Sequence, residues 1–75
     1  MSFSTKPQDV LEQLLVYGAS LEIAILNRTV DQLYSLASYA KSGGGTLTVL
    51  GASGLSNQVL YELAAYGKGH IFLKD

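Results

Sequence analysis

The chain has 75 residues, 48% of them apolar and 15% charged, with one histidine, no cysteine and a net charge of −1. This composition excludes a disordered chain, a polybasic nucleic-acid binder, disulfides, cysteine zinc sites and thiolate nucleophiles. We expect one domain over residues 1–75, and we expect it to be cytoplasmic because neither a secretory leader nor a membrane span is visible.

Three segments share the pattern Leu-x-x-Leu-[Leu/Ala]-x-Tyr-[Gly/Ala], at residues 11–18, 33–40 and 60–67. Their offsets of 22 and 27 residues lie in the range of structural repeats. The apolar residues of each segment recur at helical spacing, which predicts three amphipathic helices. Their buried faces should supply a repeated core: Leu11, Leu14, Leu33, Leu36, Leu60 and Leu63.

Capping residues mark where these helices should begin. Thr5 with Gln8 and Thr29 with Gln32 have the spacing of a capping box, and Ser56 stands before the third helix. Each of these side chains is expected to accept a hydrogen bond from the first turn of its helix.

Glycines mark where the helices should end. Gly18 and Gly67 follow the apolar stripes, so we expect both to end a helix in the left-handed conformation. Residues 42–45 read Ser-Gly-Gly-Gly, which predicts a flexible turn inserted after the second helix.

A short strand is predicted after each helix. Because a helix separates successive strands, these should be parallel and joined by right-handed crossovers. The predicted strands lie at residues 21–26, 46–50 and 70–74. The unit of helix and strand therefore occurs three times, over approximately residues 5–26, 29–50 and 56–75.

Side chains alternate along the strands, which assigns them to two faces of the sheet. One face should pack under the helices through Ile23, Val49 and Ile71, whereas the other is mixed in polarity and so is not expected to be covered. We predict an α/β fold in which three helix-strand repeats form a small parallel sheet with helices on one face, as in a solenoid. The open face is the predicted interaction surface, made of Glu22, Ala24, Leu26, Thr48, Leu50, His70, Phe72 and Lys74.

The last repeat has a more specific pattern over residues 47–64, with apolar and small residues at fixed intervals. They are Leu47, Val49, Leu55, Ser56, Asn57, Leu60, Leu63 and Ala64. This spacing resembles L-x-L-x-x-C-x-x-[LI]-T-D-x-x-L-x-x-L-A, the α/β leucine-rich repeat of the cysteine-containing kind. Ala52 stands where that family has its cysteine, and the upstream repeat matches only loosely. The resemblance implies binding to other proteins through the exposed strand face.

Residues 46–57 also have the order strand, glycine-rich turn and helix. Backbone N–H groups near Gly51 and Gly54 would seat a pyrophosphate at the helix start in such a motif. The segment is similar to the G-[AS]-[ST]-G-x-x-G turn of short-chain dehydrogenase-like proteins. Asn57 replaces the third glycine, and no acidic residue follows at the end of a second strand. Nucleotide binding is therefore the third hypothesis, and no cofactor is expected.

Five tyrosines fall on two positions of the repeat. Tyr17, Tyr39 and Tyr66 share one position, where their rings should pack between stacked helices or form a ladder that continues across subunits. Tyr34 and Tyr61 share another position, which we expect to lie nearer solvent.

No catalytic or metal-binding residues are predicted. His70 is the only histidine, and Ser53 therefore has no plausible histidine partner for nucleophilic catalysis. No pair of carboxylates is isolated enough to suggest acid–base chemistry. We expect a protein that is not an enzyme.

The predicted function is self-association. Repeat proteins normally protect their ends with polar caps, and none is visible here, while edge strands invite further pairing. Copies are expected to stack head to tail into a filament or other homo-oligomer. The alternative is a small adaptor that binds another protein through the open strand face. The sequence leaves the partner and the symmetry open.

Overall fold

The computed structural model describes residues 7–25 and 28–75, which form helices and strands in strict alternation. In chain order the elements are α1 (Gln8–Val16), β1 (Ser20–Ala24), α2 (Val30–Gly43), β2 (Thr46–Leu50), a short 3-10 helix (Ala52–Gly54), α3 (Asn57–Gly67) and β3 (Ile71–Leu73). This alternation confirms the predicted α/β class. Among the described residues no helix is both long and apolar enough to cross a membrane.

The three strands form a parallel sheet in the order β1-β2-β3, as predicted. The register aligns Leu21 with Leu47 and Ile71 in one row, and Ile23 with Val49 in the next. Along β1 and β2 these residues are buried and alternate with exposed or half-buried ones. The helices therefore cover one face of the sheet, with α2 packed between α1 and α3.

Two strands differ from their predicted lengths. β1 ends two residues earlier than expected, and Leu26 lies outside the described residues. β3 is shorter than residues 70–74, but its backbone pairing continues beyond the strand. The N–H of Leu47 donates to the carbonyl of His70 at 2.9 Å, and the N–H of Lys74 donates to the carbonyl of Val49 at 2.9 Å.

The predicted capping residues that lie among the described residues form their hydrogen bonds. The N–H of Gln32 donates to Thr29 Oγ1 at 3.2 Å, and the N–H of Thr29 donates to Gln32 Oε1 at 2.9 Å, which completes the predicted capping box. Ser56 Oγ accepts from the N–H of Val59 at 3.4 Å at the start of α3. Thr5, the predicted cap of α1, lies outside the described residues.

Gly18 and Gly67 were both predicted to end a helix in the left-handed conformation, and only Gly18 does so. Gly18 follows α1 with a φ of +92°, in the left-handed region. Gly67 is instead the last residue of α3, and the left-handed residue after it is Lys68. Gly67 is needed for close packing, since a Cβ there would lie 2.9 Å from the Cβ of Ile71.

Residues 42–45 do not form an inserted flexible turn, because α2 continues through Gly43 and ends with Gly44 in the left-handed conformation. A Cβ on Gly43 would lie 2.1 Å from the carbonyl oxygen of Leu15, and one on Gly45 would lie 2.2 Å from that of Ala19. These glycines let the end of α2 and the start of β2 approach the backbone that joins α1 to β1.

The buried apolar side chains form one cluster between the helices and the sheet. Its members are Leu11, Leu15, Leu21, Ile23, Leu33, Leu36, Ala37, Ala40, Leu47, Val49, Ala52 and Leu63. Of the predicted core residues, Leu14, Leu60 and Ile71 are only half-buried against this cluster. These three belong to the first and last units, so the core is less covered at its two ends than in its middle.

Candidate interaction surfaces

The open face of the sheet carries the predicted interaction residues in cross-strand rows. The register brings Glu22, Thr48 and Phe72 into one row, with Phe72 60% exposed. Ala24 and Leu50 pair in the next row, and both are half-buried. The row of Glu22, Thr48 and Phe72 therefore combines a carboxylate, a hydroxyl and an aromatic ring.

A groove of about 380 Å³ lies at the carboxyl ends of β1 and β2. It is lined by Ala24, Ile25, Leu50 and Gly51, with Asp75 at its margin. Its lining is mostly apolar, and Ile25, Gly51 and Asp75 were not among the predicted interaction residues. Ile25 follows directly after β1, although the sequence placed it inside the strand.

His70 and Lys74 stand directly before and after β3. The ring of His70 is half-buried, and its Nδ1 lies 2.9 Å from the carbonyl oxygen of Gly45. The Lys74 side chain is exposed. Because one nitrogen of His70 is engaged by backbone, this residue holds the start of β3 against the turn before β2.

The core is open at the β3 edge of the sheet. Ile23 and Val49 are fully buried in their row, whereas Leu73, the third member of that row, is 39% exposed. A groove of about 190 Å³ beside it is lined by Ala52, Ser53, Leu60, Leu73, Lys74 and Asp75. The apolar layer between helices and sheet therefore reaches the surface at this end.

Polar side chains join α1 to α2. Gln8 Nε2 donates to the carbonyl oxygen of Gln32 at 3.1 Å, and Ser35 Oγ donates to Glu12 Oε2 at 2.9 Å. Gln8 and Glu12 are one helical turn apart and are themselves hydrogen-bonded at 3.0 Å. These contacts identify the side of α1 that faces α2.

The opposite side of α1 carries an apolar stripe. Val10, Leu14 and Tyr17 follow one another at helical spacing, about half a turn away from Gln8 and Glu12. Leu14 is half-buried, Val10 is exposed and Tyr17 is 79% exposed. The first unit thus has an apolar flank that no described helix covers.

An aromatic and polar network joins α2 to α3. The rings of Tyr34 and Tyr66 have their centroids 5.1 Å apart at an interplanar angle of 41°. Interaction of the Tyr34 hydroxyl with the Glu62 carboxylate, together with partial burial, raises the pKa of Tyr34 to about 12. The same interaction, with a 3.1 Å hydrogen bond from Gln58 Nε2, lowers the pKa of Glu62.

The tyrosine positions differ from the sequence prediction. Tyr66 packs against a neighbouring helix as expected, but Tyr17 does not, because no described helix precedes α1. Tyr34 was expected near solvent and is half-buried instead, since its ring stacks on Tyr66. The side chain of Tyr39 is 39% exposed, and that of Tyr61 is 69% exposed.

Three backbone amides of the glycine-rich turn are hydrogen-bonded within the chain. Gly51 is left-handed, but the N–H of Ala52 donates to the carbonyl of Lys74 at 2.8 Å. The N–H of Gly54 donates to Gly51 and that of Leu55 to Ala52, at 3.1 and 3.0 Å. Because these three amides are bonded within the chain, they are not directed at a ligand, as a pyrophosphate would require.

Comparison of the chain with protein-family models, curated proteins and solved structures finds no match. The resemblance of residues 47–64 to a leucine-rich repeat therefore stays a prediction. Within the described part of the chain, no group of three or more histidine, aspartate or glutamate residues is placed to hold a metal ion.

The sequence predicts uncapped ends of the repeat stack but does not identify the residues that line them. The flank of Val10 and Leu14 was detectable, because these residues and Tyr17 have the i, i+4, i+7 spacing of one helix face. The exposure of Leu60 and Leu73 was not detectable, because equivalent residues of the middle unit are buried. Only the position of a unit in the stack distinguishes the two cases.

Proposed function

We propose that this protein is a non-enzymatic α/β repeat module whose copies self-associate head to tail into a filament or other homo-oligomer. The main support for the proposal is that the core is open at β3. Leu73 and Leu60 line a groove there, and the other two residues in the row of Leu73 are fully buried. Exposed apolar surface that continues a core is stabilised when another apolar surface covers it.

The first unit of a second copy has the shape and chemistry to cover this end. β1 and β3 are the two outer strands of the described sheet, and both run parallel to β2. A β1 strand added beside β3 would therefore continue the sheet in the same direction, and α1 would lie beside α3. Such a contact is heterologous, so it produces a ring if it closes and a filament if it does not.

Neighbouring residues of β3 provide a matched test. Leu73 belongs to the core row, whereas Phe72 points to the open face and is more exposed. Sedimentation velocity over a wide concentration range should show large species for the wild type and for Phe72→Lys. Leu73→Lys should remain monomeric while its circular dichroism stays native, because only this charge enters the junction.

Two outcomes contradict the proposal. A wild-type protein that stays at 8.0 kDa at every concentration does not self-associate. Equal assembly of wild type and Leu73→Lys would mean that the β3 end is not the contact.

The adaptor hypothesis rests on a separate observation, the exposed ring of Phe72 in the row with Glu22 and Thr48. Aromatic side chains surrounded by polar ones are typical of binding surfaces. If Phe72→Lys abolishes binding to another protein and Leu73→Lys does not, the open face is the binding surface. The same pair of variants therefore separates the two functions.

A further inference from the structure

Helix contacts inside the chain repeat at the level of single positions. Glu12 and Tyr34 each follow the first leucine of their repeat, and Ser35 and Glu62 each stand two places after it. Glu12 accepts from Ser35 on the next helix at 2.9 Å. Tyr34 stacks on Tyr66 of the next helix, and its hydroxyl interacts with Glu62 of that helix. The same two repeat positions thus form the polar contact at both helix junctions.

The two ends of the chain carry the halves of a third such contact. Tyr61 of α3 occupies the position of Tyr34, and Gln13 of α1 occupies the position of Glu62. Tyr17 occupies the position of Tyr66, whose ring stacks on Tyr34 at 5.1 Å.

Both aromatic halves of this third contact are open. Tyr61 is 69% exposed and Tyr17 is 79% exposed, the two largest values among the exposed apolar side chains of residues 7–25 and 28–75. Tyr61 lies on the side of α3 away from α2, and Tyr17 lies on the side of α1 away from α2. A single copy leaves both rings in water, whereas a head-to-tail pair of copies brings these two sides together.

We propose that Tyr61 of one copy stacks on Tyr17 of the next copy and that its hydroxyl donates to the side-chain oxygen of Gln13. This inference rests on the proposed self-association and names its helix-layer contact, with a second copy of the chain as the partner. The contact continues the junction between α2 and α3 from one chain into the next. Gln13 is neutral, so the bond does not require an ionised carboxylate.

The physical reason for such a pair is the amphipathic character of tyrosine. Its ring gains from stacking and from removal of apolar surface from water, while its hydroxyl needs a partner once it is covered. Gln13 supplies that partner at the repeat position where Glu62 supplies it inside the chain.

Complementation of two variants tests the pairing. Tyr17→Ser removes the contact at one end of a copy and Tyr61→Ser removes it at the other, so each alone should lower the association constant by about tenfold. A mixture of the two contains one intact junction, between Tyr61 of the first variant and Tyr17 of the second. The mixture should therefore form heterodimers at wild-type affinity, whereas the growth of heterodimers into longer oligomers should be about tenfold weaker.

Cysteine pairing gives an independent readout, because the chain has no native cysteine. Mild oxidation of the double variant Gln13→Cys with Tyr61→Cys should produce a ladder of covalent oligomers. A bond within one chain is excluded because α2 separates the two helices by about 16–20 Å between axes. The matched control is Gln13→Cys with Lys41→Cys, whose second site is exposed on the middle helix and should give no ladder.

The outcomes distinguish the inference from the function on which it rests. If the wild type self-associates but the serine variants assemble equally well and no specific ladder forms, the tyrosine contact is wrong and the proposed function stands. If the wild type is monomeric at every concentration, both are wrong. Recovery of heterodimers in the mixture together with the specific ladder supports both.

Discussion

The middle and last units of this protein use the same repeat positions, yet they differ in what covers them. Leu33 of α2 is buried, whereas Leu60 at the same position of α3 is half-buried. Val49 of β2 is buried, whereas Leu73 in the same row of β3 is partly exposed. Burial in a repeat stack is therefore decided by the neighbours of a unit and not by the residue type alone.

The largest difference between the two units should appear on truncation of their equivalent leucines. Leu33→Ala creates a cavity in the closed core and should lower the free energy of unfolding by about 2–5 kcal/mol. Leu60→Ala should cost about half as much, since part of its side chain is already in water. Urea unfolding of dilute protein measures both, and equal losses would show that the α3 flank is covered in the monomer.

Replacing a glycine by alanine in each unit should also give different losses of unfolding free energy, but the difference should be smaller than for the leucines. In Gly43→Ala the new Cβ meets the backbone carbonyl of Leu15, which cannot move cheaply, so a loss of about 1–3 kcal/mol or more is expected. In Gly67→Ala the new Cβ lies 2.9 Å from the Cβ and Cγ2 of Ile71, a less severe overlap than the 2.1 Å at Gly43, so the loss should be smaller.

Gly54→Ala is the control for this pair. A Cβ there has nothing within 4 Å and the φ of Gly54 is not positive, so thermal unfolding should change little, within about 0.5 kcal/mol. A larger loss for Gly67→Ala than for Gly43→Ala would mean that β3 is held more rigidly than its outer position indicates.

The smallest expected effect is the pH dependence of stability that arises from the ionisable groups between α2 and α3. The pKa of Tyr34 rises from 10.0 to about 12 on folding, so its contribution to stability is complete below pH 10 and is lost as pH rises through 12. The pKa of Glu62 is lowered from 4.5, so its contribution is present above that pH and is lost as pH falls below it.

Ultraviolet absorbance of tyrosinate checks this assignment. One of the five tyrosines should ionise last in the folded protein, near pH 12, and Tyr34→Phe should remove that step. Glu62→Gln should move the step to lower pH, because the main cause of the shift is lost. An unchanged titration in Glu62→Gln would contradict the interaction of Tyr34 with Glu62.

Much of the architecture was predictable because local rules act within each unit. The capping box of Thr29 and Gln32, the bounds of β2 and the parallel order follow from residue spacing and short-range chemistry. The errors fall where distant segments meet. Gly43 and Gly67 were read as turn residues, but they are packing positions, because the backbone of α1 and the side chain of Ile71 come close to them.

The candidate surfaces were only partly predictable for the same reason. The row of Glu22, Thr48 and Phe72 followed from alternation along the strands. The positions of Tyr17 and Tyr34 did not, because both depend on which helix lies beside them. Tyr34 has α3 as a neighbour and packs, whereas Tyr17 has no described helix before it and stays exposed.

The sequence by itself determined the elements, their alternation and the two faces of the sheet, because hydrophobic period and capping are properties of a few neighbouring residues. Only the tertiary structure decided which repeated residues are covered. Coverage depends on stacking between units far apart in the chain, and it leaves the β3 end and the α1 flank open while closing the middle. Those two open ends carry the surfaces on which the proposed assembly rests.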